Sequence, residues 1–173
     1  CRTVPDGFKP GSDVANLSVM GYNPHDCYTG RSPLEAVSIG INLAATDVTL
    51  RCNLVTLSDE PNYEDKRMLD YSAGEISTAE AAELIAYLKK QFDDEEFTLH
   101  SGVSYRHCLV VKNGKVGHEL TPPHDITGKP IKGCLPKGPL GDKYLAMMKK
   151  SAKLLAEHPV NKARAAAGKN PAN

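Results

Sequence analysis

Apolar and polar residues alternate along several short stretches of this chain, and each alternation predicts a β-strand. The longest stretch covers residues 47–57, where Val, Thr and Leu dominate. Its apolar positions are predicted to face the core: Val48, Leu50, Cys52 and Leu54. Because successive side chains point to opposite faces of a strand, Thr49, Arg51 and Asn53 share the other face. Shorter strands are predicted at residues 68–71, 97–100 and 105–111.

Apolar stripes with helical spacing predict two longer helices. The first begins with a capping box at Ser77 and Glu80 and buries one stripe: Ala81, Leu84, Ile85, Leu88 and Phe92. The second begins with Asp142 as its N-cap and buries another: Leu145, Met148, Ala152 and Leu155. Pro159 begins a short final helix, and the tail beyond Gly168 is expected to fray.

Turn signals occupy the remainder of the chain. The first 31 residues are rich in Pro and Gly and predict loops. Ser32 and Glu35 flank Pro33 in a second capping-box pattern, which predicts a short helix that ends near Gly40. The Asn113-Gly114 pair predicts a type I′ hairpin, with a strand returning antiparallel from about residue 116.

These elements predict an α/β (α+β) fold with a small mixed, largely antiparallel sheet of about four strands. Helices cover the sheet, and a loop-rich N-terminal arm precedes it. We place three segments at residues 1–44, 45–158 and 159–173. The last is a C-terminal helix and linker.

Composition and charge narrow the possible partners. The 21 basic and 21 acidic side chains balance, and no basic run with interleaved aromatic residues occurs, so the sequence predicts no nucleic-acid partner. No apolar stretch is long enough to cross a membrane, which predicts no membrane partner. The five cysteines form no C-x-x-C pair, which disfavours zinc and is typical of thiols in a reducing compartment. We therefore expect a cytoplasmic protein.

Ser12 is the first candidate for chemistry. It lies in a Gly-Ser-Asp loop, immediately before an apolar, helix-like run that ends near Gly21. A helix N-terminus presents free N–H groups and partial positive charge, so a serine there suits phosphate binding and transfer. The alternative is an ordinary N-cap, because Ser and Asp are among the commonest capping residues.

The sequence around Ser12 resembles a known family. The similar blocks are TVPDGFKPGSDVANLSVMGYNP (3–24), YTGRSPLEAVSIGINL (28–43), DVTLRCNLVTLSD (47–59), SYRHCLVV (104–111) and TPPHDITGKP (121–130). Together they resemble the cofactor-independent phosphoglycerate mutases of the archaeal type, within the alkaline phosphatase superfamily. Ser12 matches the serine that this family phosphorylates. The family's Asp-rich and Asp/His metal motifs are missing here, and the chain begins with Cys, so we interpret it as a piece of a longer protein.

The resemblance implies an isomerase of glycolysis and gluconeogenesis. It would interconvert 3-phosphoglycerate and 2-phosphoglycerate through a phosphoserine on Ser12. Two divalent metal ions, Mn²⁺ or Mg²⁺, would activate the hydroxyl. Ser12 would be one ligand, and the other ligands would lie outside this piece. No metal is therefore expected in the isolated piece. The implied partners are a small phosphorylated substrate and the rest of the same chain. Residues 1–44 would belong to the phosphatase-like domain and residues 45–158 to an inserted substrate-covering domain, so the isolated piece is expected to be inactive.

Arginines are the candidates for binding the substrate. Arg51 and Asn53 lie two residues apart on one strand face, and an arginine fork binds phosphate or carboxylate through two hydrogen bonds. The alternative is the solvated side of a half-exposed sheet. The resemblance favours the binding role, because both residues fall in a matching block. Arg31 precedes a predicted helix, where it would hold an anion or pair with Glu35.

Three further positions complete the predicted substrate site. Arg106 and His107 are adjacent on a strand, so they point to opposite faces and only a frayed strand end would bring both to one site. The alternatives are a salt bridge for Arg106 and a hydrogen-bonded histidine of the core or of the sheet edge for His107. His124, next to Asp125, lies in a proline-stiffened loop and is a candidate polar ligand. Turn capping by Asp125 is the alternative there.

Two other functions remain open from the sequence. One is a phosphotransferase or phosphatase of the same fold that acts on another small hydroxylated substrate, such as homoserine, since the related bacterial proteins were once proposed to be homoserine kinases. The other is a non-catalytic lid or interaction module. Assays of 3-phosphoglycerate turnover and of ATP-dependent homoserine phosphorylation would separate these possibilities.

Overall fold

The computed structural model describes residues 3–173, so Cys1 and Arg2 lie outside it. The chain divides into two compact units, Cys1–Asn42 and Leu43–Asn173. Residues 159–173, for which the sequence predicts a C-terminal helix and linker, pack within the second unit. Among the described residues, no helix has the length and apolar character needed to cross a bilayer.

The first unit contains three short helices, α1 (Ser12–Val19), α2 (Pro24–Cys27) and α3 (Arg31–Ser38). Each helix buries one residue: Val14, Pro24 and Ala36. The predicted second capping box is wrong, because Gly30 is the N-cap of α3 and its φ of 127° is accessible mainly to glycine. Ser32 therefore lies inside the helix, where its buried hydroxyl has no hydrogen-bond partner among residues 3–173.

The second unit contains five strands, β1 (Val48–Asn53), β2 (Thr56–Leu57), β3 (Met68–Asp70), β4 (Phe97–His100) and β5 (Arg106–Val111). Strands β1, β5 and β4 form an antiparallel sheet in that order, while β2 and β3 form a separate antiparallel pair. The α+β class with a small, largely antiparallel sheet is confirmed. The sheet has three strands, and all of its pairs are antiparallel.

The predicted hairpin after β5 is wrong. Strand β5 lies between β1 and β4, so both of its edges are already paired and no edge remains for a returning strand. Val116 is 82% exposed and lies outside any strand. The turn instead attaches to the segment before β1: Thr46 Oγ1 donates to Asn113 Oδ1 at 2.8 Å, and the Asn113 N–H donates to Asp47 Oδ1 at 3.4 Å.

Three helices complete the second unit, α4 (Thr78–Phe92), α5 (Gly141–Ala156) and α6 (Pro159–Ala166). The capping box that begins α4 is confirmed, since Ser77 and Glu80 exchange side-chain to backbone hydrogen bonds. Its predicted stripe is buried against the sheet, with Phe92 half-buried at the edge. One core therefore joins α4, the three-stranded sheet, α5 and α6.

Helix α5 is rotated relative to the sequence prediction. It begins after Leu140, without a side-chain cap, and buries Tyr144 and Leu155, whereas Met148 is 40% exposed. The ring of Tyr144 packs against Phe97 at 6.2 Å between centroids, and this contact turns that face of the helix inward. The sequence prediction missed the burial of Tyr144 because a stripe through Tyr144 and a stripe through Met148 fit the helical spacing equally well.

The C-terminal segment is ordered by hydrogen bonds, so the expected fraying is wrong. The Asn173 N–H donates to the Val55 carbonyl at 2.7 Å, and the Val55 N–H donates back at 3.3 Å. Ala172 is fully buried beside Asn161, whose amide group bonds the Ala172 backbone on both sides. This segment thus adds strand-like pairing next to β2.

Candidate functional site

Ser12 is the first residue of α1, and its side chain is exposed. Gly11 is the N-cap, with extended backbone, and it has no side chain that could cap the helix. The Asp13 carboxylate instead accepts from the N–H groups of Asp13 and Val14 in the first turn. The capping alternative for Ser12 is therefore not realised. An exposed hydroxyl lies in the first turn of a helix whose N–H groups carry partial positive charge.

Asp13, next to Ser12, is held by Tyr28. The Tyr28 hydroxyl donates to Asp13 Oδ2 at 2.6 Å. This hydrogen bond is the largest cause that lowers the pKa of Asp13, while burial, followed by the same hydrogen bond, raises the pKa of Tyr28 to about 12. Asp13 is thus ionised at neutral pH, and a carboxylate with a lowered pKa is a poor proton acceptor.

Arg31, at the start of α3, forms an ion pair with Glu35, with Nε and Oε1 2.9 Å apart. Its positive charge also contributes, as the last of several causes, to lowering the pKa of Asp13. The position of Arg31 is therefore compatible both with pairing to Glu35 and with holding an anion. It pairs with Glu35 and still places a cation within electrostatic reach of the serine loop.

Strands β1 and β5 bring three of the predicted substrate residues to one face of the sheet. Arg51 Nε donates to Asn53 Oδ1 at 3.2 Å, which orients the guanidinium along the strand. Asn53 pairs directly with Arg106 across β1 and β5, so their side chains share a face. Arg106 is exposed, and it forms no ion pair with a carboxylate among residues 3–173.

Aromatic rings extend this surface. Arg106 Cζ lies 5.2 Å from the ring centre of Tyr105, and that ring meets Tyr71 edge-on at 5.8 Å. Tyr71 meets the His124 ring at 6.3 Å and accepts a hydrogen bond from Asn53 Nδ2 on its carbonyl oxygen at 3.3 Å. We call this surface the arginine patch; its members are Arg51, Asn53, Tyr71, Tyr105, Arg106 and His124.

His107 lies on the opposite face of the sheet from the arginine patch. It is only 4% exposed, and its Nδ1 accepts the N–H of Gly102 at 3.1 Å. Burial lowers its pKa to about 4. As predicted, Arg106 and His107 point to opposite faces of β5. His107 is a neutral residue of the interior.

The donor set within the described residues does not make a metal site. Across residues 3–173, no group of three or more His, Cys, Asp or Glu side chains lies close enough together to hold a metal ion. The residues beside Ser12 are Asp13, which Tyr28 engages, and Gly11, which has no side chain. Two metals at Ser12 would therefore require ligands that these residues do not provide.

Comparisons with known proteins give a consistent result. A family model described as 2,3-bisphosphoglycerate-independent phosphoglycerate mutase matches residues 1–161. A Geobacter sulfurreducens protein named "Probable 2,3-bisphosphoglycerate-independent phosphoglycerate mutase" is 51% identical over 172 residues, which are 99% of this chain and 43% of that protein. A Methanosarcina barkeri protein with the same name, without the qualifier, is 50% identical over 173 residues, which are 99% of this chain and 42% of that protein.

A solved structure shares the fold as well. It is the "Cofactor-Independent Phosphoglycerate Mutase from Thermoplasma acidophilum", which matches with a TM-score of 0.65 and 29% identity over 95% of this chain and 44% of that one. The chain thus spans less than half the length of the curated relatives that it matches.

Proposed function

Because the chain belongs to the 2,3-bisphosphoglycerate-independent phosphoglycerate mutase family, we propose that it is the part of such an enzyme that carries the phosphoryl-accepting serine, Ser12. The complete cytoplasmic enzyme interconverts 3-phosphoglycerate and 2-phosphoglycerate through a phosphoserine. The observation that supports this role most directly is the exposed, non-capping Ser12 hydroxyl at the start of α1, inside the segment that the family model matches.

The proposed reaction uses Ser12 twice. Its Oγ gives up its proton and attacks the phosphorus of 3-phosphoglycerate, so that the Oγ–P bond forms while the bond from phosphorus to the C3 oxygen breaks, and that oxygen takes a proton. The C2 hydroxyl of glycerate then loses its proton and attacks the phosphoserine, the bond from phosphorus to Oγ breaks, and the released Ser12 oxygen takes a proton. The partial positive charge of the start of α1, together with the Ser12 N–H, stabilises the charge of the phosphoryl oxygens.

The arginine patch supplies the proposed substrate contacts. Phosphoglycerate carries a carboxylate and a phosphate, and both groups match the planar fork of an arginine. We assign these groups to Arg51 and Arg106, with Asn53 and His124 as additional polar contacts. Arg31 adds positive charge near Ser12. The interior position of His107 gives no support for a substrate contact, so we leave it out of this proposal.

Two divalent metal ions, Mn²⁺ or Mg²⁺, belong to the proposal as cofactors of the longer protein. Their chemistry would be to lower the pKa of the attacking hydroxyl and to stabilise phosphoryl charge. Since residues 3–173 contribute only the Ser12 hydroxyl, the remaining ligands would come from the part of the longer relatives that this chain does not span.

The test of this proposal compares two serines of α1 in the full-length protein. Ser12→Ala should abolish formation of 2-phosphoglycerate in an enolase-coupled assay and remove the phosphoserine from the peptide that covers residues 11–13. The control is Ser18→Ala, since Ser18 Oγ donates only to the Val14 carbonyl, at 3.3 Å. Both variants should unfold within about 0.5 kcal/mol of wild type.

Two results would contradict the proposal. One is a Ser12→Ala enzyme that keeps more than a few per cent of wild-type turnover. The other is ATP-dependent phosphorylation of homoserine by wild type without turnover of 3-phosphoglycerate, which would instead support a phosphotransferase.

The 173-residue chain assayed alone should be inactive, because an unactivated serine is a poor nucleophile at neutral pH.

A further inference from the structure

The carboxylate of Asp13 takes the place of a capping side chain at the start of the helix that carries Ser12. It accepts the N–H groups of Asp13 itself and of Val14, two of the donors that the first turn of a helix leaves without an intrahelical partner. Because hydrogen bonds lower its pKa, this carboxylate is a poor proton acceptor. Its contacts therefore point to a role in holding the first turn of α1 in one shape.

The space around Gly11 shows where this carboxylate lies. A Cβ atom added to Gly11 would collide with Asp13 Oδ1, so the carboxylate fills the position that a side chain would occupy there. The φ of Gly11 is −155°, an extended conformation that any residue adopts, so only this collision disfavours a larger residue. The carboxylate thus spans Ser12, from Gly11 before it to the N–H of Val14 after it.

Tyr28 holds the other oxygen of this carboxylate from outside α1. Its hydroxyl donates to Asp13 Oδ2 at 2.6 Å, and burial is the largest cause that raises the pKa of Tyr28 to about 12, which keeps this donor protonated at neutral pH. The ring of Tyr28 is fixed by Phe8, which meets it edge-on at 5.8 Å between centroids. Its backbone N–H donates to the Pro24 carbonyl at 3.0 Å. The position of Asp13 therefore depends on a residue 15 positions further along the chain.

We propose that Tyr28 is a positioning residue for Ser12, which acts through Asp13 to hold the first turn of α1 so that the Ser12 hydroxyl meets the phosphoryl group in one orientation. The inference rests on the proposed function, because Tyr28 affects the reaction only if Ser12 accepts the phosphoryl group. A nucleophile that is already oriented needs less ordering in the transition state, so it reacts faster. Loss of the hydrogen bond should lower kcat and leave KM nearly unchanged, because we assign substrate binding to the arginine patch.

The first experiment removes the hydroxyl alone. In the full-length protein, Tyr28→Phe keeps the ring that packs against Phe8 but leaves Asp13 Oδ2 without this donor. It should lower kcat for 3-phosphoglycerate about tenfold, with less than about a twofold change in KM. The matched control is Tyr22→Phe, since Tyr22 lies in the same unit and is 59% exposed. Its kcat and KM should equal those of wild type.

A double-mutant cycle tests whether Tyr28 acts through Asp13. Asp13→Ala should also lower kcat, and adding Tyr28→Phe to it should lower kcat no further, because the hydroxyl then has no carboxylate to hold. Amide hydrogen exchange of the full-length protein gives a readout that needs no turnover. The peptide covering residues 11–19 should exchange faster in Tyr28→Phe and in Asp13→Ala than in wild type or Tyr22→Phe, while residues 78–111 should be unchanged.

These measurements separate a failure of the inference from a failure of the proposed function. Equal kcat of Tyr28→Phe and wild type would overturn the inference, as would a loss expressed in KM, unchanged exchange of residues 11–19, or effects of Tyr28→Phe and Asp13→Ala that multiply. Each of these results leaves Ser12 as the phosphoryl acceptor. Continued turnover by Ser12→Ala would instead overturn the proposed function, and the positioning role of Tyr28 with it.

Discussion

The pKa of His107 makes the stability of the fold depend on pH. Burial lowers this pKa from its ordinary value of 6.5 to about 4. Between those pH values the unfolded chain binds a proton on this imidazole and the folded chain does not, so the folded state loses stability as the pH falls. The linked change is about 2 kcal/mol between pH 7 and pH 5.

Urea unfolding of His107→Asn at pH 7 and pH 5 checks this prediction. The Asn side chain offers an oxygen near the position of Nδ1 for the Gly102 N–H, but it does not ionise. The loss of stability between the two pH values should therefore shrink by about 2 kcal/mol. The exposed His25→Asn is the matched control and should leave the loss unchanged. Equal pH dependence of His107→Asn and wild type would show that His107 is not buried in its neutral form.

Arg106 is expected to contribute to substrate binding through its charge. In the full-length protein, Arg106→Ala should lower kcat/KM for 3-phosphoglycerate by about 10- to 100-fold, the effect of losing charge-assisted hydrogen bonds. Arg106→Lys should recover only part of this loss, because an ammonium group lacks the fork. The control is the exposed Arg67→Ala, since Arg67 donates only weakly to the Gly128 carbonyl at 3.4 Å. If both alanine variants lose activity equally, the arginine patch has no special role.

Side-chain parity made part of the arginine patch predictable from sequence. Alternation alone placed Arg51 and Asn53 on one face and separated Arg106 from His107. Tyr71 and Tyr105 were missed, because their rings meet only through the packing of segments that are 34 residues apart. No local spacing signals such a contact; an aromatic residue directly before Arg106 was the only available hint.

At the scale of secondary-structure elements, one carboxylate links two helices. Glu80 Oε2 accepts from Ser77 at the start of α4 and from Arg164 Nη1 of α6 at 2.9 Å. Arg164 is 3% exposed and also donates to the carbonyls of Ala73 and Asn170. The guanidinium therefore connects α6, the start of α4 and the C-terminal segment.

A double-mutant cycle should measure this link. Ser77→Ala is expected to cost about 1 kcal/mol, the usual effect of losing a cap. Arg164→Met should cost about 3–5 kcal/mol, because it leaves a partly buried carboxylate and two carbonyls without their donor. Since both changes act on Glu80, their effects in urea unfolding should differ from additivity by at least about 0.5 kcal/mol. Strict additivity would mean that the two hydrogen bonds to Glu80 are independent.

The prediction of secondary-structure elements succeeded where the signal lies within a few residues. It failed where contacts with other segments determine the structure. The capping box of Ser77 and Glu80 is complete within four residues, and the structure contains it. The same pattern at Ser32 and Glu35 does not form a capping box. Gly30 is the N-cap, so the helix begins earlier, and Glu35 forms an ion pair with Arg31. The Asn113-Gly114 turn likewise failed as a hairpin because β5 already had two partners.

At the scale of the whole molecule, the two units differ in how much apolar surface they bury. The described part of the first unit buries Val14, Pro24 and Ala36, whereas the second contains a continuous core built from α4, α5, α6 and the sheet. Few buried contacts allow local opening at low free energy. Amide hydrogen exchange followed by mass spectrometry should therefore show faster exchange in residues 3–42 than in residues 78–111. Equal protection of the two regions would contradict this prediction.

The order of the strands in the sheet also leads us to expect an order in which the second unit folds. Helix α4, β4 and β5 follow one another over residues 78–111, so their contacts form between near neighbours in the sequence. Strand β1 joins the free edge of β5 only after about 50 intervening residues have been closed into a loop, which carries an entropic cost. We therefore expect the edge of β5 that places Asn53 beside Arg106 to form after β4 has paired with β5, so that the arginine patch is completed only when this distant strand arrives.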